Sequence, residues 1–425
     1  MAKKIGTFKV LSRFLVITLF SFTVSASDYK IIPLSIAETE HLALTRDPEL
    51  KRLQANSEAL DEQAIADGQL EDPKLIVGAI NVPTNTFSFT QDDMTMMQVG
   101  VQQSFPSGNS LLFKSEKTKA LGEAEHRQTC NQSLLLLRDV RHTWLDLYYW
   151  ENAKRVTREN KNLFSYLVKE AKSLYSVGKT NQTDLLQAQV ELTKIDDQDA
   201  QITQKIAELR AKLGRWIGRE QANRPLPSVL PNWSSPPSLA NLKIHLQQHP
   251  LLRSDAAKIQ AGRFEVAFSQ EQYKPGVMVD VGYGVRQGRM TDGRRRSDMA
   301  TAQVTIDLPI FTSQRQSKRL QASTLQLTAV EMEQEVHYLD LMEALNTQYA
   351  SWQNYTHRIA LFKQHLIPEA RLNAKAALTA FQSATTDIIP VVRANMVKLE
   401  IELQELQLGI EQKKARADLL YLERK

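Results

Sequence analysis

The feature that most narrows the fold is a strict alternation in Lys274–Arg286, KPGVMVDVGYGVR. Val277, Val279, Val281, Tyr283 and Val285 fall on one side, and Met278, Asp280, Gly282, Gly284 and Arg286 on the other. A period of two marks a strand with one apolar and one polar face. Three further segments share the habit: about Leu75 to Phe89, Met96 to Phe105 and Asp298 to Leu308. In the second of these Met97, Val99, Val101 and Phe105 share a face with Gln103. In the third Ala300, Ala302, Val304, Ile306 and Leu308 alternate with Met299, Thr301, Gln303, Thr305 and Asp307. The loops joining each pair are polar, TQDD in the first and QGRMTDGRRR in the second.

Most of the remaining chain reads as helix. Ser110 to Ser176 holds no proline and a single glycine, Gly122. At about 1.5 Å per residue such a helix extends on the order of 100 Å. A turn at Val177-Gly178-Lys179 leads into a second helix. Its apolar positions, Leu185, Ala188, Leu192, Ile195, Ile202, Ile206, Leu209 and Leu213, step by three and four, with Asp199 filling one slot. Met396, Leu399, Leu403, Leu406 and Ile410 repeat the spacing in the last helix, and sustained spacing of this kind means coiled-coil packing. A monomeric helical bundle would satisfy these helices but has no use for two-faced strands.

The chain also repeats itself. Pro48 and Pro250 follow matching helical openings, LALTRDPEL and LQQHPLLRS, and stand 202 residues apart. Pro73 and Pro275 are again 202 apart, Pro106 and Pro309 203, and Thr180 and Thr386, like Ala188 and Ala394, 206. Landmarks in one order at a nearly constant offset indicate a duplicated unit. Pro225, Pro227, Pro231, Pro236 and Pro237 make Gly218–Asn241 a connector, since such a stretch suits neither helix interior nor central strand. The expected organisation is a first repeat over 27–218, a connector over 219–241 and a second repeat over 242–425. Helix hairpins are expected at about 110–217 and 313–422.

Residues 1–26 read as a secretory signal peptide, with Lys3, Lys4, Lys9 and Arg13 before the apolar core FLVITLFSF and a small-residue Val24-Ser-Ala26 site. The core is too short for a spanning helix. A short membrane anchor is the alternative. The full chain carries +5, but this segment holds four Lys/Arg and no acid, leaving 49 basic against 48 acidic residues. That balance excludes a nucleic-acid partner. The single cysteine, Cys130, forbids an internal disulfide and sits in a helical context. Beyond the leader no run of 18 apolar residues occurs, so any crossing of a membrane falls to strands.

Four strands cannot seal a membrane alone, because lipid does not tolerate unpaired sheet edges and single-chain outer-membrane barrels use at least eight strands. Several copies must close one barrel, and three would supply twelve strands. An exported chain with polar hairpin loops and helices long enough to cross a wide periplasm fits an oligomeric outer-membrane barrel continued by a helical tube.

Here the sequence resembles the outer-membrane efflux protein (TolC) family. The residues that carry the resemblance are the Asp47-Pro48 and His249-Pro250 pairs, Asp72-Pro73, QSFP at 103–106, DLPIF at 307–311 and YSVGKTNQTDLLQAQ at 175–189. It covers about residues 34–422. It implies a homotrimer with a twelve-stranded barrel and a twelve-member helical tunnel in the outer membrane and periplasm. That trimer is a passive exit duct for an inner-membrane pump joined by a periplasmic adaptor. The stretch at 81–106, NVPTNTFSFTQDDMTMMQVGVQQSFP, is similar to the heavy-metal efflux (CusC/CzcC-like) branch, which works with pumps of the resistance-nodulation-division type. Drug efflux and type I protein secretion use ducts of the same build. No cofactor is implied.

The resemblance places adaptor docking and the inner aperture at the hairpin tips, Tyr175–Asp184 and Phe381–Pro390, with Gly178, Thr180, Asp184, Thr386, Asp387 and Arg393 as candidate residues. Better-known members close the inner end with acidic rings on the second tip. Here Thr386, Pro390 and Arg393 occupy those places with Asp387 nearby. A three-fold ring of Asp387 or Arg393 would instead gate by like-charge crowding. A plain hairpin turn would need a glycine at 178 equally.

Asp92 and Asp93 mark the first outer loop, and Arg289, Arg294, Arg295 and Arg296 make the second basic. Such a loop suits lipopolysaccharide phosphates or the pore mouth, or is simply solvated. Met94, Met96 and Met97 are weak candidates for a soft metal ion and read better as apolar residues at the membrane boundary. His245 and His249 have ligand spacing, but Pro250 follows at once and two solvated histidines are the plainer reading. Trp144, Tyr148, Tyr149 and Trp150 read as packing within the tube. No nucleophile elbow, P-loop, HExxH or dinucleotide motif appears, so an enzyme is not expected. A periplasmic coiled-coil adaptor is the remaining rival, and the alternating strands count against it.

Overall fold

The computed structural model describes residues 32–383 and 385–425, so the leader expected at 1–26 lies outside the described residues. In chain order the elements are α1 (Ile36–Arg46), α2 (Pro48–Asp67), β1 (Lys74–Ile80), β2 (Met96–Phe105), α3 (Ser110–Ser176), α4 (Gln182–Ile217), α5 (Arg219–Ala222) and α6 (Leu239–Leu246). Then come α7 (Pro250–Glu271), β3 (Val277–Arg286), β4 (Met299–Ile306), α8 (Gln316–Leu361), α9 (Ile367–Gln382) and α10 (Ile388–Leu422). The order β-β-long helix-hairpin occurs twice, as the prolines indicated. Pro48 and Pro250 each open a helix, where the absent N–H costs nothing.

The duplication reaches into lengths. α3 has 67 residues, and α8, a π-helical turn at Phe362–Leu366 and α9 have 46, 5 and 16, which also make 67. The π turn is the second repeat's departure from a straight rod. Pro368 has no N–H for the carbonyl four residues back, and the backbone widens so that Ile367 N–H bonds to Phe362 C=O.

All four strands join one antiparallel sheet in the order β1-β2-β3-β4. β2 and β3, from different repeats, form its centre, with Val99 opposite Tyr283 and Gly100 opposite Gly282. The expected limits hold for β2 and β3. β1 stops at Ile80 instead of Phe89. Asn81 and Phe87 adopt positive φ of 54° and 51°, and Pro83 lacks a ladder donor, so Asn81–Thr95 is one long loop. β4 is shorter than 298–308 by one residue at its start and two at its end, and the second long helix starts at Gln316 rather than 313.

Buried contacts concentrate near the tips and at a waist midway along the helices. Near the tips Phe164, Leu167, Ala171, Ala188 and Ile195 meet Ile388, Val391 and Val392, so the two hairpins pack side by side. Midway, Leu34, Val140, Leu147, Leu213 and Ile217 form a second cluster, and Leu242, Leu246, Leu341, Leu345 and Leu419 a third. The proline-rich connector wraps this waist. Leu34 N–H donates to Pro225 C=O at 2.8 Å, Tyr148 Oη to Ser228 C=O at 2.8 Å, and Trp144 Nε1 to Leu34 C=O at 3.1 Å. Trp144 and Tyr148 are therefore packing residues, as read from their mid-helix position.

Candidate functional site: sheet, outer loops and helix tips

The alternation produces two different faces. On one, Leu75, Val77, Val99, Val101, Val281, Tyr283, Val304 and Ile306 stand exposed, Leu75 to 70% and Val77 to 69%. The other carries Gln98, Gln102, Asp280, Thr301, Gln303 and Thr305 with Gly78, Gly100, Gly282 and Gly284. On that polar face the Gln98 side chain lies over Gly282 and the Met96 side chain over Gly284, where a Cβ would collide. These glycines let long side chains lie flat on a neighbouring strand, as a narrow polar interior demands. Leu308, Ile310 and Phe311 carry the apolar surface past the end of β4. Among the described residues β1 and β4 each pair on one side only, and no helix is long and apolar enough to cross a membrane.

At the far end of the sheet from the helices, the two loops are clasped together. Arg296, expected on an exposed basic loop that is either solvated or turned to lipopolysaccharide and the pore mouth, is buried instead. Its Nη2 lies 2.6 Å from Asp93 Oδ1, and its Nη1 donates to Thr90 C=O and Asp92 C=O, both at 3.1 Å, and to Gln287 C=O at 3.2 Å. Arg286 Nη1 adds a bond to Asp93 C=O at 3.0 Å. The other arginines stay outside. Arg294 pairs with Asp292 at 2.9 Å, Arg295 lies 4.0 Å from Asp298, and Arg289 donates to Gly293 C=O. Asp92 Oδ1 caps its own loop by accepting from Met94 N–H at 2.8 Å.

The methionines do not converge. Met94 is exposed, Met96 is buried on the polar face beside Gly284, and Met97 points to the apolar face. Adjacent strand residues must diverge in this way. The histidine pair separates too. His245 is exposed, while His249 is fully buried and caps α7, its Nδ1 accepting from Leu251 N–H at 3.4 Å. The ring meets Tyr421 edge-on at 4.8 Å. Burial pushes its pKa down to about 4, and the Arg424 guanidinium acts in the same direction.

At the opposite pole are the two tips. In the first, Gly178 has φ +72° with open space where a Cβ would sit, and Lys179 N–H closes the helix end on Leu174 C=O at 2.9 Å. Asn181 caps α4 by accepting from Asp184 N–H at 2.8 Å, and Thr180 Oγ1 donates to Asp184 Oδ2 at 3.0 Å. Thr180 and Asp184 thus build the turn. In the second tip Asp387 precedes α10, but its side chain makes no capping bond. Asp387 and Arg393 are exposed and form no ion pair among the described residues, and Thr386 is half-buried. The two tips are held side by side by the Phe164–Ile388 cluster.

Sequence reading missed the junction between sheet and helices. Asn109 N–H donates to Glu271 Oε2 at 2.7 Å, so a carboxylate of the second repeat holds the residue that leads into the long helix of the first. Lys274 beside it, then the Asn109 bond, hold the Glu271 carboxyl below its ordinary range. Gly108, φ +50°, leaves the room that this carboxylate fills. The signal was present as SGN before a long helix, but its partner stands 162 residues away.

The sequence profile of the outer membrane efflux protein family matches residues 40–219 and again 241–422. The chain belongs to that family, and its two repeats are the two matched units. Its fold is that of solved channels. It superposes on the outer-membrane channel OprN with a TM-score of 0.77 at 15% identity, over 92% of this chain and 90% of that one. For CusC, described through transmembrane channel formation, the figures are 0.76, 14%, 92% and 92%. For the outer membrane protein VceC of Vibrio cholerae they are 0.77, 15%, 91% and 96%. A search of curated protein sequences finds no significant relative.

Proposed function

We propose that three copies of this chain assemble into a passive exit duct. A twelve-stranded barrel sits in the outer membrane and a tunnel of helices reaches into the periplasm, after removal of a leader at 1–26. One observation carries this reading: an open four-stranded sheet with an exposed apolar face and two half-paired edge strands, set on helical runs of 67 residues. Lipid requires those edges to be paired, and pairing β4 of one copy with β1 of the next is the arrangement that repeats. The clasped loops then lie at the extracellular mouth and the tips at the periplasmic entrance.

The entrance is where a periplasmic adaptor docks, on the exposed surfaces flanking Gly178 and Thr386. Asp387 and Arg393 are free to form like-charged rings about the three-fold axis. The duct has no chemistry of its own, and the inner-membrane pump chooses the cargo. We assign heavy-metal cations to it on the resemblance of residues 81–106. Drug efflux and protein secretion are the alternatives, and the comparable likeness to OprN, CusC and VceC does not favour any of the three.

The test is a deletion strain assayed for metal and drug sensitivity, with cell copper, silver, zinc and cadmium measured by mass spectrometry. Accumulation of metals without drugs supports the assignment. Accumulation of dyes or drugs keeps the duct and rejects the metal cargo.

A further inference from the structure

We propose that Asp255, Glu333 and His337 form a binding site for a divalent transition-metal cation of the zinc type, at the contact between α7 and α8. The site is independent of what the duct carries. Asp255 is completely buried on α7, and Glu333 and His337 stand one turn apart on α8, on the same helical face. One oxygen or nitrogen from each lies within 4.8 Å of the other two. His337 Nδ1 and Asp255 Oδ2 are 2.7 Å apart. Gln334 Nε2 donates to Leu252 C=O at 3.1 Å and fixes the register of the two helices beside the cluster.

A tetrahedral zinc with ligand bonds of about 2.0–2.1 Å separates its ligand atoms by roughly 3.3 Å. The imidazole and the Asp255 carboxylate, 2.7 Å apart, must part by about 0.6 Å to admit it. Glu333 must swing inward, and as an exposed side chain it is free to do so. Entry is open on the Glu333 side. Two carboxylates and an imidazole suit borderline divalent cations, and with no sulfur in the set they do not suit Cu(I) or Ag(I).

The local charge supports the assignment. A buried carboxylate needs a counter-charge. Lys258 supplies one, but loosely: Nζ lies 3.5 Å from Asp255 Oδ1 and 3.8 Å from Glu333 Oε1. One ammonium thus faces two carboxylates at long range, where a dication would sit at bonding distance from both. Lys258 is a stand-in that the metal displaces. A plain ion-pair network is the competing account, and it predicts no saturable metal binding.

The experiment uses the full-length protein, purified, stripped with a chelator and titrated with zinc against a chromophoric competitor. The site predicts one zinc per chain. His337→Ala and Asp255→Asn should weaken binding by about tenfold or more, and Lys258→Met should tighten it severalfold. Glu333→Gln changes an exposed residue, so its expected loss of affinity reads the site even if Asp255→Asn fails to assemble. Cobalt(II) loaded in place of zinc should give a visible absorption band that changes in His337→Ala. No zinc site tighter than about 100 µM, or unaltered binding in both His337→Ala and Glu333→Gln, overturns the proposal.

Discussion

His249 shows how a single side chain couples this fold to pH. It is buried against Tyr421 and caps α7 in its neutral form. Its pKa is about 4 in the folded chain against an ordinary 6.5. Between those values the unfolded chain binds the proton and the folded one does not. Its contribution is therefore complete above about pH 6.5, falls as pH drops and levels off near 4. A shift of this size corresponds to about 3 kcal/mol. His249→Asn keeps a capping group, and we predict that it flattens the decline in thermal stability between pH 6.5 and 4. A parallel decline in both proteins would assign the acid sensitivity elsewhere. Arg296 is the second decisive residue. Arg296→Ala removes the Asp93 pair and three carbonyl bonds, and should raise protease cleavage within Asn81–Thr95 roughly tenfold, about 1.4 kcal/mol of local opening. Neither role was legible in the sequence. HP and GRRR are local strings, whereas burial comes from Tyr421 and from the first loop, both far along the chain.

Among the elements, the strands were the most legible, because alternation survives without knowledge of neighbours. β2 and β3 have the limits that alternation gave. β1 is shorter than the alternation suggests because VPTNTFSF continues an apolar rhythm through a loop, and positive φ at Asn81 and Phe87 leaves no mark in hydropathy. The π turn was foreshadowed only by Pro368. The two sheet faces should respond oppositely to charge. Val281→Lys on the apolar face should cost about 2–4 kcal/mol of folding stability in bilayers near their midplane. Thr301→Lys on the polar face should cost less than about 1 kcal/mol. Equal costs would mean that the apolar face does not meet lipid. At the first tip, Gly178→Val forces a β-branched residue to φ +72°, a strain of about 1–2 kcal/mol. Faster amide exchange confined to Tyr175–Asp184 is the expected readout, and exchange unchanged there would show that the turn tolerates a side chain.

For the whole molecule, the features that matter most are the duplication and the single four-stranded sheet. Under the proposed placement in lipid they call for partner copies before any side chain is placed. The proposed duct forms only if the half-paired β1 and β4 close on other copies. The most direct test is the mass of the complex extracted from outer membranes and released from detergent in a native mass spectrometer. Three chains per particle, resistant to dissociation until the barrel unfolds, is the predicted result. A monomeric particle of undiminished stability would contradict the account, because a single four-stranded sheet would then be surviving in lipid with both edges open.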